Sequence, residues 1–290
     1  MPDPVNPPTL IIVAEIGCWL AGLLLLVRLF TGRLGSHRPT LRPWTVSVEG
    51  FVMSILLVVA GGLLLPHAAT YLNDDILGPA ARNGDWWQIV QGAAFQLGML
   101  GGGFISIIIS RFAKTSQPPP LPEPAVTASA ARAPAPRTPN FLIAGIATFA
   151  IALPVIGGIG FVWKIVVESL GFPMEEQEMV DLFRNAESPS FLVAMIVLAS
   201  VIAPVTEEMI FRAGLFRYLR TRIPRWLALI LPAVIFAVLH GNVVAFLPLF
   251  ALGLFFALAY ERTGNIAVPM IAHALFNLHT IVLVMAGVTA

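Results

Sequence analysis

Long apolar runs broken by short polar ones set the pattern of this chain. A window of about twenty residues, the length a helix needs to cross a bilayer, predicts helices near 9–30, 48–65, 88–112, 141–170, 191–206, 226–240, 243–260 and 265–286. The last three are separated only by Gly241-Asn242 and by the stretch from Glu261 to Gly264, which predicts a tight antiparallel group. Between the third and fourth runs, residues 113–140 are rich in Pro and Ala, with Pro118-Pro119-Pro120 and alternating Ala and Pro from Ala133 to Pro136. Proline removes backbone donors and favours extended geometry, so this segment is expected to be a solvated cytoplasmic linker. It divides a three-helix membrane region, 1–112, from a five-helix region, 141–290.

Composition agrees. Hydrophobic residues make up 57% of the chain and charged residues 11%, which places it among all-α, polytopic membrane proteins of about eight transmembrane helices. A net charge of +1 lacks the clustered basic excess that a phosphate-binding surface needs, so nucleic acid is not an expected partner. The single cysteine, Cys18, cannot form an intrachain disulfide and is read as apolar filler. The N-terminus has no basic region before the first run and no small-residue cleavage site after it, so the first helix is expected to stay.

The few charges report topology instead. Arg28, Arg33, Arg38 and Arg42 follow the first run; Arg111, Lys114, Arg132 and Arg137 flank or lie in the linker; Arg217, Arg220, Arg222 and Arg225 follow the fifth. By the positive-inside rule these three loops are cytoplasmic, and both termini lie outside. Those arginines also suit anionic headgroups, so membrane lipids are expected partners. The protein is then an integral, multi-pass component of a plasma or inner membrane.

Three polar clusters interrupt the apolar second half: Glu207-Glu208 with Arg212, Phe236 with His240, and His273 with Asn277. Ionisable side chains inside a membrane are costly and are a functional hypothesis by default. At 1.5 Å per residue from the expected cytoplasmic boundary, Glu207 and His273 lie about 15 Å deep, and His240 and Asn277 roughly 20 Å. Four-residue spacing puts Glu208 beside Arg212, and His273 beside Asn277, on one helix face each. Glu207 is turned about 100° from Glu208 and is free to face other helices.

A carboxylate and an imidazole from different helices can hold and deprotonate a water. A second imidazole and a carboxamide can donate to the oxyanion formed when that water attacks a carbonyl. Glu207, His240 and His273 are also a reasonable ligand set for zinc or another divalent metal, although the H-E-x-x-H spacing is absent. Spacing alone does not choose between the two.

The runs Glu207-Glu208-Met209-Ile210-Phe211-Arg212, Phe236-Ala237-Val238-Leu239-His240 and His273-Ala274-Leu275-Phe276-Asn277 resemble the E-E-x-x-x-R, F-x-x-x-H and H-x-x-x-N signatures of the CPBP intramembrane proteases. That family includes the CAAX prenyl endopeptidases and Abi-type proteins of bacteriocin processing or immunity. The resemblance covers roughly residues 191–284. It implies an endopeptidase acting on membrane-associated or C-terminal, CAAX-like peptides, with its site opening toward the cytoplasm. Glu207 and His240 would activate the water, His273 and Asn277 would stabilise the tetrahedral intermediate, and Glu208, Arg212 and Phe236 would support them. The family has been described both as metal-dependent and as glutamate-based.

Blander readings stand beside these. The Glu and Arg residues could decorate a solvated helix start, His240 could cap helix carbonyls before Gly241, and His273 with Asn277 could be interhelical glue. At the level of the whole chain, the alternatives are a non-enzymatic immunity or scaffold protein, or a proton-coupled transporter, which would usually show internal repeats not seen here. His279, two residues past Asn277, is expected to face away from the site in a structural role. His37 and His67 are expected in loops, Trp44 in an interfacial aromatic belt, and Glu15 is an intramembrane charge without an assigned role.

Overall fold

Small residues decide which helices of this protein meet, because between apolar helices in lipid close backbone approach supplies the attraction that the hydrophobic effect does not. The computed structural model describes residues 9–31, 41, 44, 46–76, 78, 84, 86–115, 140–173, 182–183, 186 and 188–287. Its long helices are α1 (Thr9–Phe30), α2 (Val48–Ile76), α3 (Trp86–Thr115), α4 (Phe141–Ser169), α5 (Pro189–Leu219), α6 (Arg225–Leu239), α7 (Val243–Thr263) and α8 (Ala267–Met285). No strand occurs among the described residues. The protein is an all-α polytopic membrane protein.

Seven of the eight helices are long and apolar enough to cross a membrane. The exception among the expected spans is α6, which at 1.5 Å per residue is about 22 Å long, short of a hydrocarbon core of about 30 Å. Pro224 precedes it, and His240 and Gly241 end it, Gly241 having a left-handed φ of 64°.

Three other boundaries differ from expectation. Helix α2 does not stop at 65 but runs through Pro66 to Ile76, so His67 lies in a helix and bonds the Leu63 carbonyl at 2.8 Å. Gln91 of α3 and the Thr70 hydroxyl both bond the Pro66 carbonyl, which lets the chain continue where hydropathy falls. Helix α5 continues past 206 to Leu219, because Glu208 and Arg212 neutralise one another inside it. Glu261 to Thr263 form the last turn of α7, and the chain reverses at Gly264 with φ 64°. Residues 116–139, most of the expected linker, lie outside the described residues, as do Met1 to Pro8, His37, and the basic positions Arg33, Arg38, Arg42, Arg132 and Arg137.

Helix α4 is the hub, packing against α1, α7 and α8. Its Ala152 and Ile156 are buried with Ala251, Leu252 and Phe256 of α7 and Ala272 of α8. A Cβ at Gly145 would lie 2.7 Å from Ile271 of α8, and one at Gly22 of α1 would lie 1.9 Å from the Ala150 carbonyl oxygen. Helices α2 and α3 form a separate hairpin. There a Cβ at Gly61 would sit 2.0 Å from the Gly98 oxygen, and one at Gly102 would sit 2.0 Å from the Leu57 oxygen. Ser54 and Ser106 hydrogen-bond across the same seam. The hairpin reaches the rest through α3 on α5, and through Phe51, whose ring stacks on Tyr218 with centroids 3.6 Å apart. Trp44, expected in an interfacial belt, packs edge-on against both rings.

Candidate active site

The site is built on α5, whose winding is irregular for a reason visible in the sequence. Pro204 lacks an N–H and its ring crowds the carbonyl four residues back, which an ordinary α-turn cannot absorb. Residues Leu198–Ile202 form a wider π-type turn, in which the Ala203 N–H bonds the Leu198 carbonyl. A second such stretch, Met209–Phe216, follows the motif, and the Arg217 N–H bonds the Arg212 carbonyl. With Ala203 committed to Leu198 and Pro204 without a donor, the Ala199 carbonyl is open to a side chain. Asn277 of α8 supplies it, its Nδ2 donating at 2.8 Å.

One layer toward Arg212, the two helices meet again through His273. Its Nδ1–H donates to Glu208 Oε1 at 2.9 Å, and its Nε2 lies 3.7 Å from Glu207 Oε2. The imidazole thus sits between two carboxylates of neighbouring residues, one bonded and the other just beyond hydrogen-bond range. Glu208 is fully buried, while the Glu207 side chain is 17% exposed. Their roles are separated by environment. Glu208 Oε1 also accepts from Arg212 Nη1 at 2.9 Å, and its Oε2 has no partner among the described residues.

Arg212 is held deep in the fold, 2% exposed, by more than its carboxylate. Its guanidinium lies over the rings of Phe236 at 4.6 Å and Phe256 at 5.3 Å, and Nη2 reaches the Gly253 carbonyl at 3.4 Å. Gly253 keeps that approach close, since a Cβ there would lie 3.0 Å from Ala233 on α6. The Arg212 side chain therefore joins α5, α6 and α7 behind the two glutamates. The solvated-surface reading of Glu208 and Arg212 fails on burial.

His240 is placed differently from the other expected site residues. It ends α6, is exposed, and its Nδ1–H donates to the Phe236 carbonyl at 2.7 Å. The capping geometry is therefore real, and it commits Nδ1, leaving Nε2 as the nitrogen available for chemistry. Phe236 stands between the two histidines, with ring centroids 4.8 Å from His240 and 5.9 Å from His273. Phe256 stacks on the other face of His273 at 4.9 Å. Among the described residues Glu207 approaches His273 at 3.7 Å and makes no direct hydrogen bond to His240.

No group of three His, Cys, Asp or Glu side chains among the described residues is arranged to hold a metal ion. Two clefts, one of about 710 Å³ at the α7–α8 turn and one of about 170 Å³ at the α6–α7 turn, include none of Glu207, His240 and His273 in their walls.

Residues 189–279 match the family model described as Type II CAAX prenyl endopeptidase Rce1-like. This segment of the chain is similar to that family. It contains all three motifs and begins with α5, so the resemblance read from the motifs holds. Among curated proteins, 89 residues are 34% identical to one from Bacillus subtilis named "Putative membrane peptidase YdiL", covering 31% of this chain and 36% of that one. An uncharacterized protein of Mycoplasma capricolum is 32% identical over 33% of this chain and 29% of its own length. An uncharacterized 24.3 kDa protein of Escherichia coli is 26% identical over 37% of this chain and 50% of its own. The aligned parts thus span half or less of each relative. No solved structure matches.

Sequence reasoning assigned Glu208 only to Arg212, and missed its bond to His273. The adjacent Glu-Glu pair carried the signal, since two neighbouring carboxylates on a helix necessarily face different ways. It also missed Glu261, whose carboxylate is almost fully buried and accepts from Arg220 Nε at 2.5 Å and Arg225 Nη2 at 2.6 Å. That cluster clamps the α5–α6 turn to the end of α7, so these arginines are more than topological anchors.

Proposed function

We propose that this protein is an intramembrane endopeptidase that hydrolyses peptide bonds in membrane-associated or C-terminal, CAAX-like segments of other proteins. The observation that carries the reading is the seat of His273 between Glu207 and Glu208, within the segment that matches a prenyl endopeptidase family. The 3.7 Å between Glu207 Oε2 and His273 Nε2 is too long for a direct hydrogen bond and leaves both atoms free to bond a water seated beside them.

In this mechanism Glu207, the more exposed carboxylate, takes the proton from the attacking water. The water oxygen bonds the scissile carbonyl carbon, the C=O becomes an oxyanion, and the C–N bond then breaks as the proton passes to the leaving amine. His273 in its imidazolium form keeps Nδ1–H on Glu208 and offers Nε2–H to the oxyanion. Asn277 has one amide N–H on Ala199 and one remaining for the same task. His240 keeps Nε2 free at the end of α6 for the substrate's leaving group, since Phe236 separates it from the water held by Glu207 and His273. Glu208 and Arg212 hold the His273 ring in one orientation, the role that a buried carboxylate plays toward a catalytic imidazole. The basic segment from Arg217 to Arg225 supports a site that opens toward the cytoplasm.

The test is hydrolysis of a quenched fluorescent peptide library that includes farnesylated tails, by the purified protein and by Glu207→Ala. Cleavage reduced by about 10²–10⁴-fold in the variant, with unchanged thermal unfolding in detergent, supports the mechanism. A folded and fully active Glu207→Ala protein refutes it. A well-folded wild type that cleaves nothing favours the scaffold reading.

A further inference from the structure

Helix α1 lies outside the family-matched segment, yet it carries a half-buried carboxylate that reaches into it. Glu15 Oε2 accepts from His279 Nε2–H of α8 at 2.6 Å, and Glu15 Oε1 accepts from Trp19 Nε1–H at 2.7 Å. The side chains are 27% and 18% exposed, so both oxygens of an intramembrane carboxylate are engaged in a largely apolar setting. Around the pair stand Phe149 of α4 and Phe276 of α8, neither of them titratable.

His279 is two residues beyond Asn277, and at 100° per residue the two side chains leave α8 about 200° apart. Asn277 is bonded to the Ala199 carbonyl of α5 on one side, and His279 to Glu15 of α1 on the other. Two hydrogen bonds on opposite faces hold a helix against rotation about its axis. Apolar contact does not do this in lipid, where a leucine face packs on a neighbour or on acyl chains with similar ease. The remaining contacts of α1 fix its position on α4: a Cβ at Gly157 would fall 2.4 Å from Trp19, and one at Gly22 would fall 1.9 Å from Ala150. Helix α1 is thereby seated on α4 with its carboxylate aimed at α8.

We infer that Glu15 is a positioning residue for the site: through His279 it sets the rotation of α8 and so the seat of His273 between Glu207 and Glu208. The inference rests on the endopeptidase reading for its effect on catalysis, but its structural half stands alone. The role belongs to a helix outside the family-matched segment, and it gives the N-terminal part of the chain a function in the reaction.

Two readouts test it. In a Cys18→Ser background, which removes the single native thiol, spin labels at Leu278→Cys on α8 and Val201→Cys on α5, both exposed, report the distance between the helices. Glu15→Leu is expected to shift or broaden that distance distribution. Glu15→Gln is expected to preserve it, because a carboxamide oxygen accepts from Trp19 while its N–H donates to the Nδ1–H tautomer of His279. In the peptide assay Glu15→Leu should lower kcat about tenfold, the worth of one strong interhelical hydrogen bond, with KM unchanged and with Glu15→Gln restoring the rate. An unchanged distance distribution in a folded Glu15→Leu protein overturns the inference whatever the activity. A shifted distribution with unchanged kcat overturns the catalytic half. If the wild type cleaves no peptide, the endopeptidase reading fails, and the distance measurement still decides whether Glu15 positions α8.

Discussion

The α2–α3 hairpin and the α5–α8 group solve the same problem, holding apolar helices together in lipid, by opposite means. The hairpin uses absence of side chains: Gly61, Gly98 and Gly102 let the two backbones touch, with the Ser54–Ser106 pair and the bonds of Gln91 to Pro66 and Thr70 as its neutral polar links. The α5–α8 group uses buried polar pins: Arg212 on Glu208, Glu208 on His273, Asn277 on Ala199, and Glu261 under Arg220 and Arg225. Glycine contact is non-directional and tolerates sliding, whereas each polar pin has defined partners at fixed distances. A catalytic site needs the second kind. That difference explains why the expensive residues are concentrated in one half of the molecule.

The comparison breaks most sharply at Arg212. Arg212→Ala leaves Glu208 buried without its cation and opens the aromatic box formed with Phe236 and Phe256, at a cost of about 3–5 kcal/mol. Thermal unfolding in detergent should show that loss together with loss of cleavage. Normal stability with lost cleavage would move Arg212 from holding the helices to contacting substrate.

On the hairpin side, Gly61→Val forces a branched side chain against the Gly98 backbone. Overpacking of this kind costs about 1–3 kcal/mol, and crosslinking between α2 and α3 should report their separation. Peptide cleavage is expected to survive, since none of the polar pins in α5–α8 passes through that seam. Loss of cleavage in a folded protein would show that the two regions are coupled.

The smallest effect belongs to Asn277→Ala in its structural capacity. The Ala199 carbonyl loses its side-chain donor, worth about 1–2 kcal/mol for an interhelical bond in a membrane. The variant should therefore unfold only slightly earlier while cleavage falls much further. Equal, small losses in both would assign Asn277 to helix packing alone.

Most of the fold was legible before any coordinates, and the reason is specific to membranes. A segment with no water to bond its backbone must be a helix when it is apolar and about twenty residues long, so α1, α3, α4, α7 and α8 appear where hydropathy places them. The failures fall where polar residues sit inside helices. Helix α2 was cut at Pro66 and α5 at Thr206, because a hydropathy window counts Glu208 and Arg212 as two charges and does not see that they cancel. Helix α6 was given a full span, although Pro224 and Gly241 confine it to 15 residues.

The candidate site divides in the same way. Residue types and four-residue spacings were enough to single out Glu207, Glu208, Arg212, Phe236, His240, His273 and Asn277, since spacing along a helix dictates which side chains share a face. Partners across helices were beyond it. That His273 bonds Glu208 and only approaches Glu207, that Asn277 answers a carbonyl freed by Pro204, and that Glu15 of the first helix reaches His279 of the last all depend on how each helix is rotated about its axis. Rotation leaves every local spacing unchanged, so the linear sequence carries no direct record of it. It is decided only when glycines let particular backbones approach and buried polar groups, which lipid cannot satisfy, find one another.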